Sequence, residues 1–160
     1  MNRLKVALLA GGNSSEREIA LNSAKQIAQA LDASKYDVKV IDLHYRNMTY
    51  TAADGTEWEV DKNDFSLTVE GVRYEFDYAL IIIHGTPGED GKLQGYLDMM
   101  GIPYSSCSQV SSTITFDKVS TKRAVAERGI NVAKEVFLHK GEEFSTEDIV
   151  AKLGLPLFVK

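Results

Sequence analysis

Two short apolar runs constrain this chain more than anything else in it. Residues 4–10 read LKVALLA and residues 78–83 read YALIII. Neither alternates between apolar and polar, and both are too short for a buried helix. Each therefore reads as a strand covered on both faces, the pattern of a parallel sheet with helices above and below. Each run also ends in glycines. The first gives way to Gly11-Gly12, the second to His84-Gly85-Thr86-Pro87-Gly88-Glu89-Asp90-Gly91. Ligands of open α/β sheets bind at the carboxyl ends of the strands. Both turns are thus site candidates by position alone.

The intervening residues fit that scheme. After Gly12, Asn13, Ser14 and Ser15 offer helix caps, and Ser15 with Glu18 forms an S-x-x-E capping box. Ala20, Ala24, Ile27, Ala28 and Leu31 then recur at helical spacing and define one buried face. Residues 37–43 form a second strand, which completes a βαβ unit with a right-handed crossover. Residues 48–76 change character, with turns at Asp54-Gly55 and Glu70-Gly71 between alternating runs, and read as β-hairpins inserted between sheet elements. A helix over 91–100 stops at Gly101, and Pro103-Tyr104-Ser105 begins a short strand or loop. Residues 108–129 read as two helices broken near Phe116, the second capped by Asp117 and ended by Gly129. A strand at 134–139, a helix at 145–152 capped by Ser145 or Thr146, and a strand at 156–160 follow. A domain border near residues 114–117 separates this last βαβ run from the first part.

Composition narrows the class. The 160 residues carry a net charge of −5, which supplies no basic patch and argues against nucleic acid as the main partner. No apolar run approaches the ~20 residues needed to span a bilayer. One cysteine, Cys107, forbids an internal disulfide, and nothing near Met1 resembles a secretory segment, so the expected compartment is the cytoplasm. The chain closes on the apolar strand at 156–160 without a turn, and reads as a fragment of a longer protein.

Taken on their own, the candidate residues remain open. Gly11-Gly12 before a helix resembles a phosphate-binding turn, but it lacks the third glycine of a dinucleotide fold and the lysine of a P-loop. Glu16, in the first turn, could merely complement the helix dipole, and a carboxylate there argues against an anion. His84 stands between strand and glycine loop, where a catalytic and a structural role are equally open. Glu89 and Asp90 read as loop and cap ligands rather than a metal pair. Lys118 follows the cap Asp117, against the dipole's preference, and Lys160 ends an apolar strand. No zinc-type spacing occurs.

Four blocks resemble one family. HGTPGEDGKLQGYLDMMGIPYSSC, AGGNSSEREIALNSA, FDKVSTKRAVAERGI and the closing LPLFVK are similar, in order and spacing, to motifs of the D-alanine–D-alanine ligases. They span nearly the whole chain except residues 45–76. The resemblance implies an α/β fold: a Rossmann-like pre-ATP-grasp domain with a parallel sheet over residues 1–115, then the start of an ATP-grasp domain over 116–160. It implies ATP-dependent joining of two D-alanines through an acyl phosphate for peptidoglycan synthesis, in a protein about twice this length, so that this chain alone would be inactive. Glu16 would bind the ammonium of the first D-alanine and His84 would lie beside its carboxylate. Lys118 and Lys160 would contact ATP phosphates. Magnesium ligands would lie beyond Lys160, leaving no metal site within the chain. A homodimer is the assembly the family implies. Ligation of D-alanine to D-lactate or D-serine, and a non-catalytic Rossmann-like binding module, are the alternatives. The Ser105-Ser106-Cys107-Ser108 stretch departs from the family's small pair after Pro-Tyr.

Overall fold

The computed structural model describes residues 3–159, which divide into two compact units, Met1–Phe116 and Asp117–Lys160.

The first unit is built on one seven-stranded sheet in the order β6-β5-β4-β3-β2-β1-β7. One end of it is parallel. β1 (Leu4–Gly11) pairs with β2 (Tyr36–His44) on one side and β7 (Tyr78–Ile81) on the other. β1 is buried on both faces, as its unalternating pattern requires. Leu8 and Ala10 face helix α1 (Arg17–Ala30) through Ala24, Leu21 and Ile27. Ala7 and Leu9 face the larger cluster, which includes Phe65, Leu67 and, from helix α2 (Lys92–Met100), Leu93 and Leu97. β7 is covered less evenly, with Ala79 buried but Leu80 and Ile81 only half-buried. Its outer edge is blunted by Pro103–Ser105. The Ala79 amide donates to the Pro103 carbonyl at 2.8 Å, and the Ser105 amide donates to the Ala79 carbonyl at 3.1 Å.

The hairpin region is not an insertion between sheet elements. β3 (Asn47–Thr51), β4 (Glu57–Asp61), β5 (Ser66–Val69) and β6 (Val72–Glu75) continue the same sheet as an antiparallel meander beyond β2. The sheet is therefore parallel only at its β2-β1-β7 end. Short hairpin connections force this result, because parallel neighbours need a crossover of a dozen residues or more. Glu70 and Gly71 both have positive φ, the geometry that lets a two-residue turn follow the strand twist. The wing curls far enough that the Lys39 ammonium on β2 sits 5.5 Å from the Tyr50 ring centroid and 4.9 Å from that of Tyr74 on β6.

α1 starts later than its capping box predicts. Glu16, not Ser15, is the N-cap, and no side chain caps the helix. The Ser14 hydroxyl accepts the Glu16 amide at 3.2 Å, so the turn before the helix is wound by Ser14. Glu18 is left to pair with Arg17 at 3.2 Å. Helix α3 (Gln109–Phe116) closes the first unit.

The second unit holds helices α4 (Lys118–Ala126) and α5 (Thr146–Leu153), capped by Asp117 and Ser145 as their sequences predict. The expected strands do not form: 134–139 and 156–159 carry no strand pairing, and Lys160 lies outside the described residues. A strand exists only with a partner, and no backbone bonds join these two segments among the described residues. They do line a common cleft of about 560 Å³ with Leu153. Among the described residues, no helix is long and apolar enough to cross a membrane.

Candidate functional site

Three chain segments leave the carboxyl ends of the parallel strands and are tied to one another. From β1, Gly11-Gly12 leads to Ser14 and Glu16. The Gly12 amide donates to the Leu43 carbonyl of β2 at 2.7 Å, and the Asn13 amide donates to the Thr86 carbonyl beyond β7 at 3.0 Å. Asn13 also reaches the third segment, its Oδ1 accepting the Tyr45 amide at 2.7 Å. Gly12 is held at φ +97°, and a Cβ there would lie 2.6 Å from Cγ2 of buried Ile83. Only glycine allows the first turn to close against the end of the β7 run.

The segment after β7 is rigidified from within. The Gly85 amide donates to the Glu89 carboxylate at 2.6 Å, and the Glu89 amide returns a bond to the Gly85 carbonyl at 2.9 Å. Asp90 accepts the Thr86 hydroxyl at 2.8 Å and the Lys92 amide at 3.2 Å, and it forms an ion pair with the Lys92 ammonium. Burial alone would raise the Asp90 carboxyl. The bonds from Lys92 and Thr86 outweigh it and hold the group below the usual carboxylate range. Glu89 and Asp90 are therefore fully engaged in shaping the loop, which is the structural role their sequence context suggests.

Glu16 stands at the uncapped amino terminus of α1, with an exposed side chain. His84 lies half-buried just past β7. Their backbones meet on a single oxygen. Ser14 Oγ donates to the His84 carbonyl at 2.8 Å and accepts the Glu16 amide at 3.2 Å. Lys118, the first residue of α4, is exposed and belongs to the second unit. Lys160 is outside the described residues.

Three contributors escape sequence reasoning. Ser14 is one, since two adjacent serines hide which of them does the work. The second is the ion pair between Arg17 and Asp42 at the end of β2, where Arg17 Nε and Asp42 Oδ1 stay buried without partners. The third is Gln94, fully buried on α2, whose Nε2 donates to the Gly88 carbonyl at 2.6 Å and to Ser106 Oγ at 2.9 Å. Gln94 carried a readable signal: a polar residue on the helix face of Leu93 and Leu97 has to find partners. The pair Arg17–Asp42 joins positions whose proximity follows only from the β1–β2 register.

Among the described residues, no group of three or more His, Cys, Asp or Glu side chains is placed to hold a metal ion.

Known proteins match this arrangement over most of the chain. Residues 5–107 match the family described as D-ala D-ala ligase N-terminus. A D-alanine–D-alanine ligase of Parabacteroides distasonis is 44% identical over 155 residues, which is 97% of this chain and 47% of that protein. The structure of the D-alanine–D-alanine ligase from Coxiella burnetii superposes with a TM-score of 0.84 at 28% identity, covering 95% of this chain and 50% of that one. A D-alanine–D-alanine ligase from Bacillus anthracis, complexed with ATP, gives 0.71 at 28% identity, covering 94% and 43%. The chain spans about half the length of the relatives it matches. A parallel sheet whose carboxyl edge gathers Glu16, Ser14 and His84, with these matches along nearly its full length, places the chain in the D-alanine–D-alanine ligase family, as its amino-terminal part.

Proposed function

We propose that this chain supplies the first-substrate site of an ATP-dependent D-alanine–D-alanine ligase. The observation that carries the reading is the meeting of Glu16 and His84 on one serine oxygen, at the carboxyl edge of the parallel sheet. A zwitterionic amino acid presents an ammonium and a carboxylate a few bonds apart. The Glu16 carboxylate takes the ammonium of the first D-alanine as a charge-assisted hydrogen-bond acceptor. The His84 ring offers an N–H to the substrate carboxylate and offsets its negative charge as it approaches phosphate.

The reaction proceeds in two steps. A carboxylate oxygen of the first D-alanine attacks the γ-phosphorus of ATP, the bond to the β-γ bridging oxygen breaks, and ADP leaves an acyl phosphate. The amine of a second D-alanine then attacks the acyl carbon, loses a proton, and expels inorganic phosphate as the peptide bond forms. Positioning and charge neutralisation supply most of the acceleration in such phosphoryl transfers. In this reading residues 1–115 form the pre-ATP-grasp domain and residues 116–160 begin the nucleotide-binding domain. Lys118 and Lys160 hold ATP phosphates as point charges. Magnesium ligands lie elsewhere in the full-length protein. The product serves peptidoglycan synthesis in the cytoplasm of a bacterium, and the enzyme works as a homodimer. The 160-residue chain alone is inactive.

ADP release from ATP by the full-length protein tests the reading, with magnesium, D-alanine or L-alanine, and Glu16→Gln in parallel. Release that needs D-alanine and collapses in Glu16→Gln is expected. Release indifferent to alanine chirality discards the substrate.

A further inference from the structure

We propose that Ser14 is a positioning residue for this site, setting the spacing between the Glu16 carboxylate and the His84 ring; the proposal rests on the assignment of those two residues to the first D-alanine. Ser14 is the only side chain among the described residues seen to bond both positions. Its hydroxyl has one proton and two lone pairs. The proton goes to the His84 carbonyl at 2.8 Å, and one lone pair takes the Glu16 amide at 3.2 Å.

The geometry makes this oxygen hard to replace. Glu16 begins α1 without any other side-chain cap, so the Ser14 oxygen is what takes up its amide. Gly85, next to His84, also packs closely on Ser14: a Cβ on Gly85 would lie 3.1 Å from Ser14 Cβ and 3.6 Å from its Oγ. Gly85 has φ +73°, a backbone that favours glycine. The His84–Gly85 peptide is thereby pressed onto the serine, and its carbonyl points at the hydroxyl. The neighbouring bond from the Asn13 amide to the Thr86 carbonyl keeps the two segments together without Ser14, so its loss changes alignment rather than the fold. An alanine would leave the His84 carbonyl and the Glu16 amide to find water, and each loop end would relax separately. Small misplacements of this kind matter in sites that work by positioning.

The test uses the full-length enzyme. Ser14→Ala should raise KM for the first D-alanine about five-fold or more, leave KM for ATP within about two-fold, and leave the melting profile close to the parent's. The same substitution placed in a His84→Ala background should have a much smaller effect on that KM, because a spacer has no function once one end is gone. Equal effects in both backgrounds, or a lowered melting temperature with unchanged KM, would overturn the proposal and leave Ser14 a structural residue. The parent's D-alanine-dependent ADP release is measured first, since its absence sinks the ligase reading and not the coupling. The coupling is then read without substrate, from the His84 ring resonances and the Glu16 amide. Both shift in Ser14→Ala if the serine couples them, and a shift at Glu16 alone refutes it.

Discussion

The helices of the two units are held in opposite ways. The N-cap residues of α1 and α2, Glu16 and Gly91, make no side-chain cap, yet each helix buries a face: Ala20 and Ala24 on α1, Leu93, Gln94 and Leu97 on α2. α4 and α5 begin with well-formed caps, the Ser120 amide on Asp117 and the Asp148 amide on Ser145, yet bury no residue. In the first unit tertiary packing fixes the helices, and the start of α1 is free to be used for something else. Glu16 occupies that freed position. In the second unit local hydrogen bonds define the helices, and apolar side chains such as Phe137, Phe144 and Phe158 remain exposed.

That contrast can be broken most directly by truncating side chains in each unit. Leu97, fully buried, should lose about 3 kcal/mol of stability on Leu97→Ala. Phe158, 93% exposed, should change stability by no more than about 0.5 kcal/mol on Phe158→Ala. Urea unfolding of both variants measures this, and comparable losses would show that the second unit has a core of its own. Next in size is Gly12→Ala, which combines a positive φ with a 2.6 Å clash against Ile83 and should cost about 2–3 kcal/mol. Survival of that variant at parental stability would mean the first turn is not packed against the β7 run as described.

A smaller effect sharpens the other side of the comparison. Ser145→Ala should remove about 1 kcal/mol from α5, seen as faster amide exchange at its amino end. Ser15→Ala, by contrast, should leave α1 unchanged, because Ser15 does not cap it. Smallest is a pH effect in the hairpin wing. Bonds from the Ser66 hydroxyl and amide and from Arg73 hold Asp64 at about 2, below the usual carboxylate range. A depressed carboxyl stabilises the folded state above the unfolded value, and that contribution is lost as pH falls toward 2. The Asp64 carboxyl resonance should titrate near 2 and move upward in Arg73→Gln; titration near 4 in both would remove the Asp64–Arg73 pair from the account.

The same division explains what the sequence discloses. The runs at 4–10 and 78–83, the stop at Gly101 and the caps Asp117 and Ser145 are legible because each depends on residues within a few positions. Failures occur where the outcome depends on distant partners. Residues 134–139 and 156–159 read as strands in sequence but form no ladder, and the hairpins of 48–76 join the main sheet because β2 offers them an open edge. Glu16 and His84 are proposed for the site on resemblance and on their places at strand ends. Ser14 and the Arg17–Asp42 pair are not, because a serine's choice between two neighbouring amides and a contact across the sheet both require coordinates.

The central claim is that Glu16 and His84 grip one amino acid. Titrating D-alanine into the full-length protein, with and without nucleotide, and following the His84 ring resonances tests it most directly. The account expects a saturable shift that L-alanine reproduces poorly and that Glu16→Gln abolishes. A His84 shift that survives Glu16→Gln undiminished, or no shift at concentrations that support turnover, would contradict it.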